Sequence, residues 1–377
     1  MRLFILNFIL TLSCIVNAQE KLNNSFVLTG KVIGQDTGYV YLTYLNSYNK
    51  YIRDSFYLRK GEFKFFGSIT EPCHADFYGN IKSNSVDDSN FTDIFIEPTK
   101  MQAIFKLNDF KHGEIAGSKS QNEFSSYKKQ YEILQVNGDV IFNELDSARA
   151  KNDSSKIKFI LINRIPFYRR AIDSMTYNFM KQNTGSYVSA YLLNFHTNSL
   201  TNGSLKSLYS LLTINVQQST EGKKIGDYIL KEENLQIGSQ APQFSQTDIN
   251  GNNVSLKNYS GKFVLLEFWA SWCAPCREET PYLKKAYTKF HEKGFTIISF
   301  SLDGIKTKKA WKDAIKQDSL SWPQVCDFKV WSGDVVVGYN LSGKGIPRNF
   351  LINPSGQIIA KDLRGDELQE KLAEVLK

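Results

Sequence analysis

The sequence predicts a multidomain chain: an all-β, sandwich-like N-terminal region, a helical middle segment and a C-terminal α/β domain. Three observations predict it. Residues 24–116 hold short runs of alternating apolar and polar residues separated by glycine-containing turns, the period-two signature of half-buried strands. From Ser118 to about Asn234 the apolar residues recur at three- and four-residue spacing instead, the period of an amphipathic helix. Further on, the run Phe263-Val-Leu-Leu-Glu-Phe-Trp269 is apolar on both faces apart from Glu267, as in a buried parallel strand, and a helical pattern follows with Leu283, Ala286, Tyr287 and Phe290. A length of 377 residues suits two or three domains, and 42% hydrophobic with 13% aromatic residues gives material for packed cores rather than extended disorder.

The N-terminus comes first. Met1-Arg2 precedes a mostly apolar run from Leu3 to Val16, and Val16-Asn17-Ala18 offers a small-residue cleavage site before Gln19. That order predicts a secretory signal peptide over 1–18, because the apolar run is shorter than the roughly 20 residues that span a bilayer. A competing reading makes Cys14, in Leu12-Ser13-Cys14, a lipid-modified residue. It ranks second because Thr11 stands where a lipoprotein signal has leucine. Export places the protein in the periplasm or cell envelope, where disulfides form and persist.

Residues 19–117 form the expected β domain, with runs such as Phe26–Val32, Tyr39–Tyr44 and Phe63–Phe66 as strands. Cys73-His74 falls inside it and reads as a buried cysteine beside a turn histidine, in preference to a redox or metal pair. Residues 118–235 form the expected helical connector. Ser120-Gln-Asn-Glu123 reads as a capping box, followed by Phe124, Tyr127, Tyr131 and Leu134 at helical spacing. Further helices are expected near 138–150, 156–181, 186–195 and 204–217, broken at Asn-Gly and Asn-Thr-Gly, with Pro166 a kink in the third. No catalytic constellation stands out here. The aromatic stripes read as core, with a groove for a partner peptide as the alternative.

Net charge is +8, from 46 basic and 38 acidic residues scattered along the chain, and it falls by one when Arg2 leaves with the signal peptide. The one dense basic stretch, Lys306 to Lys312, alternates with apolar residues as a solvated helix face does. Together with export, this argues against a nucleic-acid partner.

The chemistry concentrates in Cys273-Ala274-Pro275-Cys276, which lies where the apolar strand turns into the first turn of a helix. Unpaired backbone N–H groups and the helix dipole favour negative charge there, and such sites lower a cysteine pKa to roughly 3.5–7.5. Spacing assigns the roles: Cys273, at the mouth of the helix, is the exposed thiolate that attacks a disulfide. Cys276, one turn on, displaces the mixed disulfide. Pro275 suits the first turn, where a missing N–H costs little. Half of a zinc site is the alternative, but a closed site needs two further ligands. No second Cys-x-x-Cys or His-x-x-x-His pair appears, and Cys73 and Cys326 stand apart. Glu267, in an apolar strand, is costly to ionise, so its pKa is expected to rise. Exposure at a strand end is the alternative.

With these residues the region 236–377 resembles the thioredoxin superfamily, and more narrowly the TlpA/ResA-type thiol-disulfide oxidoreductases that sit beside the AhpC/TSA family. The resemblance opens with Ile237-Gly-Ser-Gln-Ala-Pro242-Gln-Phe, passes through a hairpin at Asn250-Gly251, then Val254-Ser-Leu256 and Gly261-Lys-Phe-Val. It implies a thioredoxin-like fold and disulfide exchange with protein substrates. Glu267 matches the family's buried acid, which takes a proton from Cys276 and returns it. Glu279 matches an acidic position near the dithiol, a role that rests on resemblance alone. Pro347, in Gly345-Ile346-Pro347, matches the cis proline facing the dithiol. That leaves the Ile346 backbone free to pair with an extended substrate and blocks metal capture by the thiols. Trp272 matches the substrate-facing aromatic before the first cysteine. Two positions depart from the pattern: Arg348 replaces Thr or Ser, placing a cation near the groove, and Asn353 replaces Asp in a turn.

The resemblance further implies a reductant recharged by a membrane thiol electron carrier, with cytochrome c maturation as one use, and no bound metal or organic cofactor. The N-terminal region is similar to a β domain of unknown function found before thioredoxin domains, through Arg53-Asp54-Ser55, Lys60–Gly67, Phe95-Ile-Glu-Pro98 and Ile115-Ala-Gly117-Ser. Two rival functions stay open: a thiol peroxidase, since the lead-in resembles that neighbouring family too, and an envelope ligand-binding protein whose thioredoxin domain reports redox state.

Overall fold

A computed structural model describes residues 24–80 and 87–376. The expected signal peptide and Cys14 therefore lie outside the described residues. Among the described residues no helix is long and apolar enough to cross a membrane.

Alternation in the first hundred residues yields eight strands: β1 (Ser25–Ile33), β2 (Tyr39–Leu45), β3 (Tyr51–Tyr57), β4 (Glu62–Ser68), β5 (Cys73–Tyr78), β6 (Phe91–Ile96), β7 (Lys100–Lys106) and β8 (Asp109–Ala116). They form two four-stranded sheets, ordered β4-β1-β7-β8 and β3-β2-β5-β6. Every second residue turns inward. Phe26 and Leu28, Val40 and Leu42, Phe63 and Phe65, and Met101 and Phe105 meet in one core, so the period-two pattern becomes a sandwich. Gly30 marks a close approach within it, since a Cβ there would lie 2.2 Å from the carbonyl oxygen of Ala103.

The helical middle differs from the sequence expectation in several places. The first helix, α1 (Lys119–Ala150), runs unbroken through Asn137-Gly138. Gly138 is buried, and a Cβ there would meet the Tyr168 hydroxyl at 2.4 Å, so the glycine serves packing instead of a turn. The cap is Ser118, not Ser120: Ser118 Oγ accepts the Gln121 N–H at 2.9 Å. The Ser120 N–H donates instead to the Glu97 carboxylate, which reaches the helix start from the end of β6. The expected third helix is divided into α2 (Ser154–Phe159), a wide π turn over Ile160–Arg164, and α3 (Ile165–Gln182). Pro166 sits in the first turn of α3, and the widened turn lies where its missing N–H would break a regular ladder. Next come α4 (Tyr187–Phe195), α5 (Asn202–Leu211), α6 (Ile214–Gln217) and α7 (Thr220–Asn234). The sequence pattern did not single out α7.

The chain divides into two compact units. One holds the β sandwich and the helical residues up to Asn194, with Leu208–Gly222. The other holds Phe195–Ser207 and everything from Lys223 onward. In the second unit a hairpin of β9 (Ser245–Thr247) and β10 (Asn253–Ser255) turns at Asn250-Gly251, where Gly251 has φ +88. Then follow β11 (Phe263–Trp269), α8 (Ala274–Phe290), β12 (Phe295–Ser301), α9 (Lys308–Gln317), β13 (Gln324–Cys326), α10 (Asp334–Gly338), β14 (Arg348–Ile352), β15 (Ile358–Lys361) and α11 (Gly365–Val375). The sheet order is β13-β12-β11-β14-β15, parallel from β13 to β11 and antiparallel beyond. Central β11 is covered on both faces. Val264, Leu266 and Phe268 enter one core, while Leu265 packs with Leu283 and Ala286 of α8 and Leu368 and Leu372 of α11. This is the layered α/β arrangement expected for 236–377, and it puts the carboxyl end of β11 beside the start of α8.

Candidate active site

Cys273 is the N-cap of α8, with extended backbone, and its Sγ accepts the N–H of Cys276 at 3.3 Å. Cys276 lies in the first turn, beyond Ala274 and Pro275 at the positions that lack intrahelical partners. The two sulfurs are bonded to each other, S–S 2.01 Å. In this disulfide form Cys273 is 5% exposed and Cys276 1%, so the cysteine expected to be exposed is nearly covered, though less than its partner. Neighbouring Trp272 is 50% exposed and offers a broad apolar face beside the disulfide.

The loop carrying these residues is pinned from below by a residue the sequence reading did not single out. Asp303, fully buried after the end of β12, accepts hydrogen bonds from Ser271 N–H at 2.8 Å, Ser271 Oγ at 2.6 Å and Ser301 Oγ at 2.7 Å. The only local signal for it was a carboxylate closing an apolar strand, in Ser301-Leu302-Asp303.

Facing the disulfide is the segment Gly345-Ile346-Pro347. The Ile346–Pro347 peptide is cis, and Ile346 O lies 3.8 Å from Cys273 Sγ. The Arg364 guanidinium donates to the carbonyls of Pro347 and Leu363 and so ties the start of α11 to this segment. One residue on, the Gly365 N–H donates to Glu279 Oε2 at 3.0 Å, which gives that half-buried acid a partner on α11. Arg348, the departure from the family pattern, opens β14 with its charge already paired, Nη2 to Asp362 Oδ2 at 2.9 Å.

Glu267 is 6% exposed, on β11 between Ser299 of β12 and Asn349 of β14. Ser299 Oγ donates to Glu267 Oε2 and accepts from Trp322 Nε1 at 2.8 Å, so the hydroxyl is held in place for the carboxyl. Burial pushes the Glu267 carboxyl up to about 7, with the Ser299 hydrogen bond and the Arg364 charge opposing the rise and Glu279 adding to it. A carboxyl in that range takes and gives protons at neutral pH. The remaining described cysteines are of another kind. Burial pushes the Cys73 thiol, helped by Glu71 and Glu221, and the Cys326 thiol up to about 12. Asn353 occupies the turn expected of it, its Oδ1 accepting from the N–H groups of Ser355 and Gln357.

The structure thus brings together Cys273, Cys276, Ile346 and Pro347, with Trp272 alongside, while Glu267 is buried on β11 against Ser299 and Glu279 faces the start of α11. Comparison with known proteins bears on what such a site does. The AhpC/TSA family profile matches residues 237–361, and that of a domain of unknown function, DUF4369, matches residues 26–124. The thiol-disulfide oxidoreductase ResA of Bacillus thuringiensis subsp. konkukian is 39% identical over 150 residues, 40% of this chain and 82% of the relative. ResA of Bacillus subtilis is 34% identical over 128 residues, 34% of this chain and 68% of the relative. Among solved structures, the thioredoxin domain of a thiol-disulfide oxidoreductase from Bacteroides vulgatus is 41% identical, with a TM-score of 0.35, 38% of this chain and 99% of that one covered. The chain belongs to the ResA-type thiol-disulfide oxidoreductases of the AhpC/TSA family and is an oxidoreductase, preceded by a DUF4369 domain.

Proposed function

We propose that the protein is an exported, cell-envelope reductant of protein disulfides whose working dithiol is Cys273–Cys276. One observation carries this reading most strongly: a disulfide at a helix N-terminus, 3.8 Å from the carbonyl before a cis proline, in a domain whose central strand buries a carboxyl pushed up to about 7. In the reduced protein the Cys273 thiolate attacks one sulfur of a substrate disulfide. The S–S bond breaks, a Cys273–substrate bond forms, and the departing substrate thiolate takes a proton. Glu267 then accepts the Cys276 proton, the Cys276 thiolate attacks Cys273 Sγ, and the second substrate sulfur leaves as a thiolate that is protonated as Glu267 gives its proton up. Two electrons pass to the substrate and the Cys273–Cys276 disulfide remains, so each turnover needs a separate thiol reductant, for which a membrane electron carrier is the candidate. Ile346 pairs with the extended substrate backbone, Pro347 shapes that surface, Trp272 flanks it and Glu279 holds the α11 start beside it.

In this proposal residues 1–18 are the signal peptide, 19–117 the β domain, 118–235 the helical connector and 236–377 the thioredoxin-like domain. Equilibration with glutathione tests the direction. A potential near that of thioredoxin, about −270 mV, supports a reductant, and one near −120 mV reverses it. A Cys276→Ser trap tests the client: the protein left covalently on Cys273 is the substrate, and recovery of an apocytochrome c would place the enzyme in cytochrome c maturation.

A further inference from the structure

The loop that enters the cis proline has little regular backbone to hold it. Between α10 and β14 it contains three left-handed positions, Asn340, Gly343 and Gly345, with φ of +51, +80 and +75. Its internal backbone bonds are turn-like, such as Lys344 N–H to Leu341 O at 3.0 Å. Side chains from outside the sheet supply what is missing. The Glu232 carboxylate, in the last turn of α7, takes both the Lys344 ammonium and Asn340 Nδ2, the latter at 2.6 Å. The Lys344 and Glu232 side chains are only 12% and 17% exposed, so this pair is shielded from water and sensitive to loss of either partner. Burial works to raise the Glu232 carboxyl, yet the hydrogen bonds from Lys344 and Asn340 leave it below its ordinary range.

A second contact comes from one turn earlier on the helix. Lys344 Nζ lies 5.0 Å from the centre of the Tyr228 ring, and the Tyr228 hydroxyl donates to Asn198 Oδ1 at 3.3 Å. Asn198 in turn lies against the loop, since a Cβ on Gly343 would fall 2.6 Å from its Nδ2. Lys344 is two residues before Ile346, whose carbonyl faces Cys273.

We propose that Tyr228 and Glu232 are positioning residues for substrate docking: through Lys344 and Asn340 they hold the loop that presents Ile346 beside the dithiol. The inference rests on the proposed pairing of substrate with Ile346. It makes the end of α7 part of the working oxidoreductase, although it precedes the sequence that resembles the family. Neither residue touches the sulfurs, so losing the contact should weaken protein-disulfide docking and leave the acidity of Cys273 alone.

The test uses the full chain with Glu232→Gln, Lys344→Met and the double variant. Three readouts serve: insulin reduction, the pH profile of iodoacetamide alkylation at Cys273, and hydrogen exchange over residues 340–347. With Glu232→Gln, the KM for insulin should rise between about tenfold and a hundredfold, the scale of a small misplacement at a site. Exchange in 340–347 should speed up while the alkylation profile stays put. The double variant leaves no charge unpaired but still lacks the tether, so its KM and its exchange in 340–347 should stay raised, though by less than in Glu232→Gln. Wild-type exchange and KM in Glu232→Gln would overturn the proposal, and so would an alkylation profile that moves with KM, which marks a general loosening of the site. Should the wild-type chain fail to reduce insulin, the proposed function falls, while exchange in 340–347 still decides whether α7 holds the loop.

Discussion

At the scale of single residues, Glu267 is where stability meets the proposed function. Its folded pKa, about 7, stands above the ordinary 4.5, so the sign of the linkage is fixed. Below about pH 4.5 the carboxyl is neutral in both folded and unfolded chains and costs nothing. As pH rises through 7 the unfolded state releases its proton first, and the folded state loses stability relative to it. The loss levels off above 7 at about 3 kcal/mol. Glu267→Gln removes the titrating group, so unfolding measured between pH 5 and pH 8 should show wild type losing ground to the variant with rising pH. Parallel curves would mean that the carboxyl is solvated and the burial argument wrong. The same substitution removes the proposed proton acceptor for Cys276. Turnover on a protein disulfide should then fall by about a hundredfold at neutral pH. Single-turnover kinetics should place the defect after the mixed disulfide. Unimpaired resolution by the variant would take Glu267 out of the mechanism.

At the scale of elements, the site depends on how strand ends meet helix starts. The end of β12 supplies Asp303, which receives three hydrogen bonds, two from Ser271 in the turn into α8. Asp303→Asn puts an amide donor where a carboxylate accepted, so at least one buried donor loses its partner. We expect a loss of about 2 kcal/mol in the urea unfolding of the C-terminal unit, with wild-type unfolding of the β sandwich. No change in the C-terminal unit would mean that the loop is held by α8 alone. This junction also marks where sequence reading succeeds and stops. Strand β11 and helix α8 were legible because their apolar periods differ, and Cys273 because a cap position carries its own chemistry. Asp303 was not legible, since Ser271, the source of two of its three hydrogen bonds, is 32 residues away and nothing in Ser301-Leu302-Asp303 names it. The α1 start was misplaced for a similar reason. Ser120-Gln-Asn-Glu123 has the capping pattern, but Glu97 from β6 takes the Ser120 N–H and leaves Ser118 as the cap. Gly138 looked like a turn because a sequence cannot display the Tyr168 ring that needs the space.

Over the whole molecule, the question is which of the dispersed cysteines take part in electron transfer. Composition and alternation were enough to distinguish a β sandwich, a helical stretch and an α/β domain. Long-range partners such as Arg364 on Pro347, or Glu232 on Lys344, emerge only when the chain is folded. Cysteine reactivity belongs to the second kind of fact, because burial decides it. Cys73 in the sandwich and Cys326 at the end of β13 in the C-terminal sheet have thiols pushed up to about 12, so at pH 7.5 their thiolate fractions are on the order of 10⁻⁴ to 10⁻⁵. Cys273, at the start of α8, sits where a thiolate is favoured, and Cys276 can close onto it. A reduced chain of residues 19–377 should therefore give two thiols that react rapidly with Ellman's reagent and form a disulfide with each other on mild oxidation. Cys73 and Cys326 should react at least about a thousandfold more slowly, and in full only after unfolding. Mass spectrometry of the alkylated peptides assigns each rate to its residue. Rapid reaction at Cys73 or Cys326 in the folded chain would add a third sulfur to the exchange. The two-electron balance between Cys273 and Cys276 would then no longer describe the enzyme.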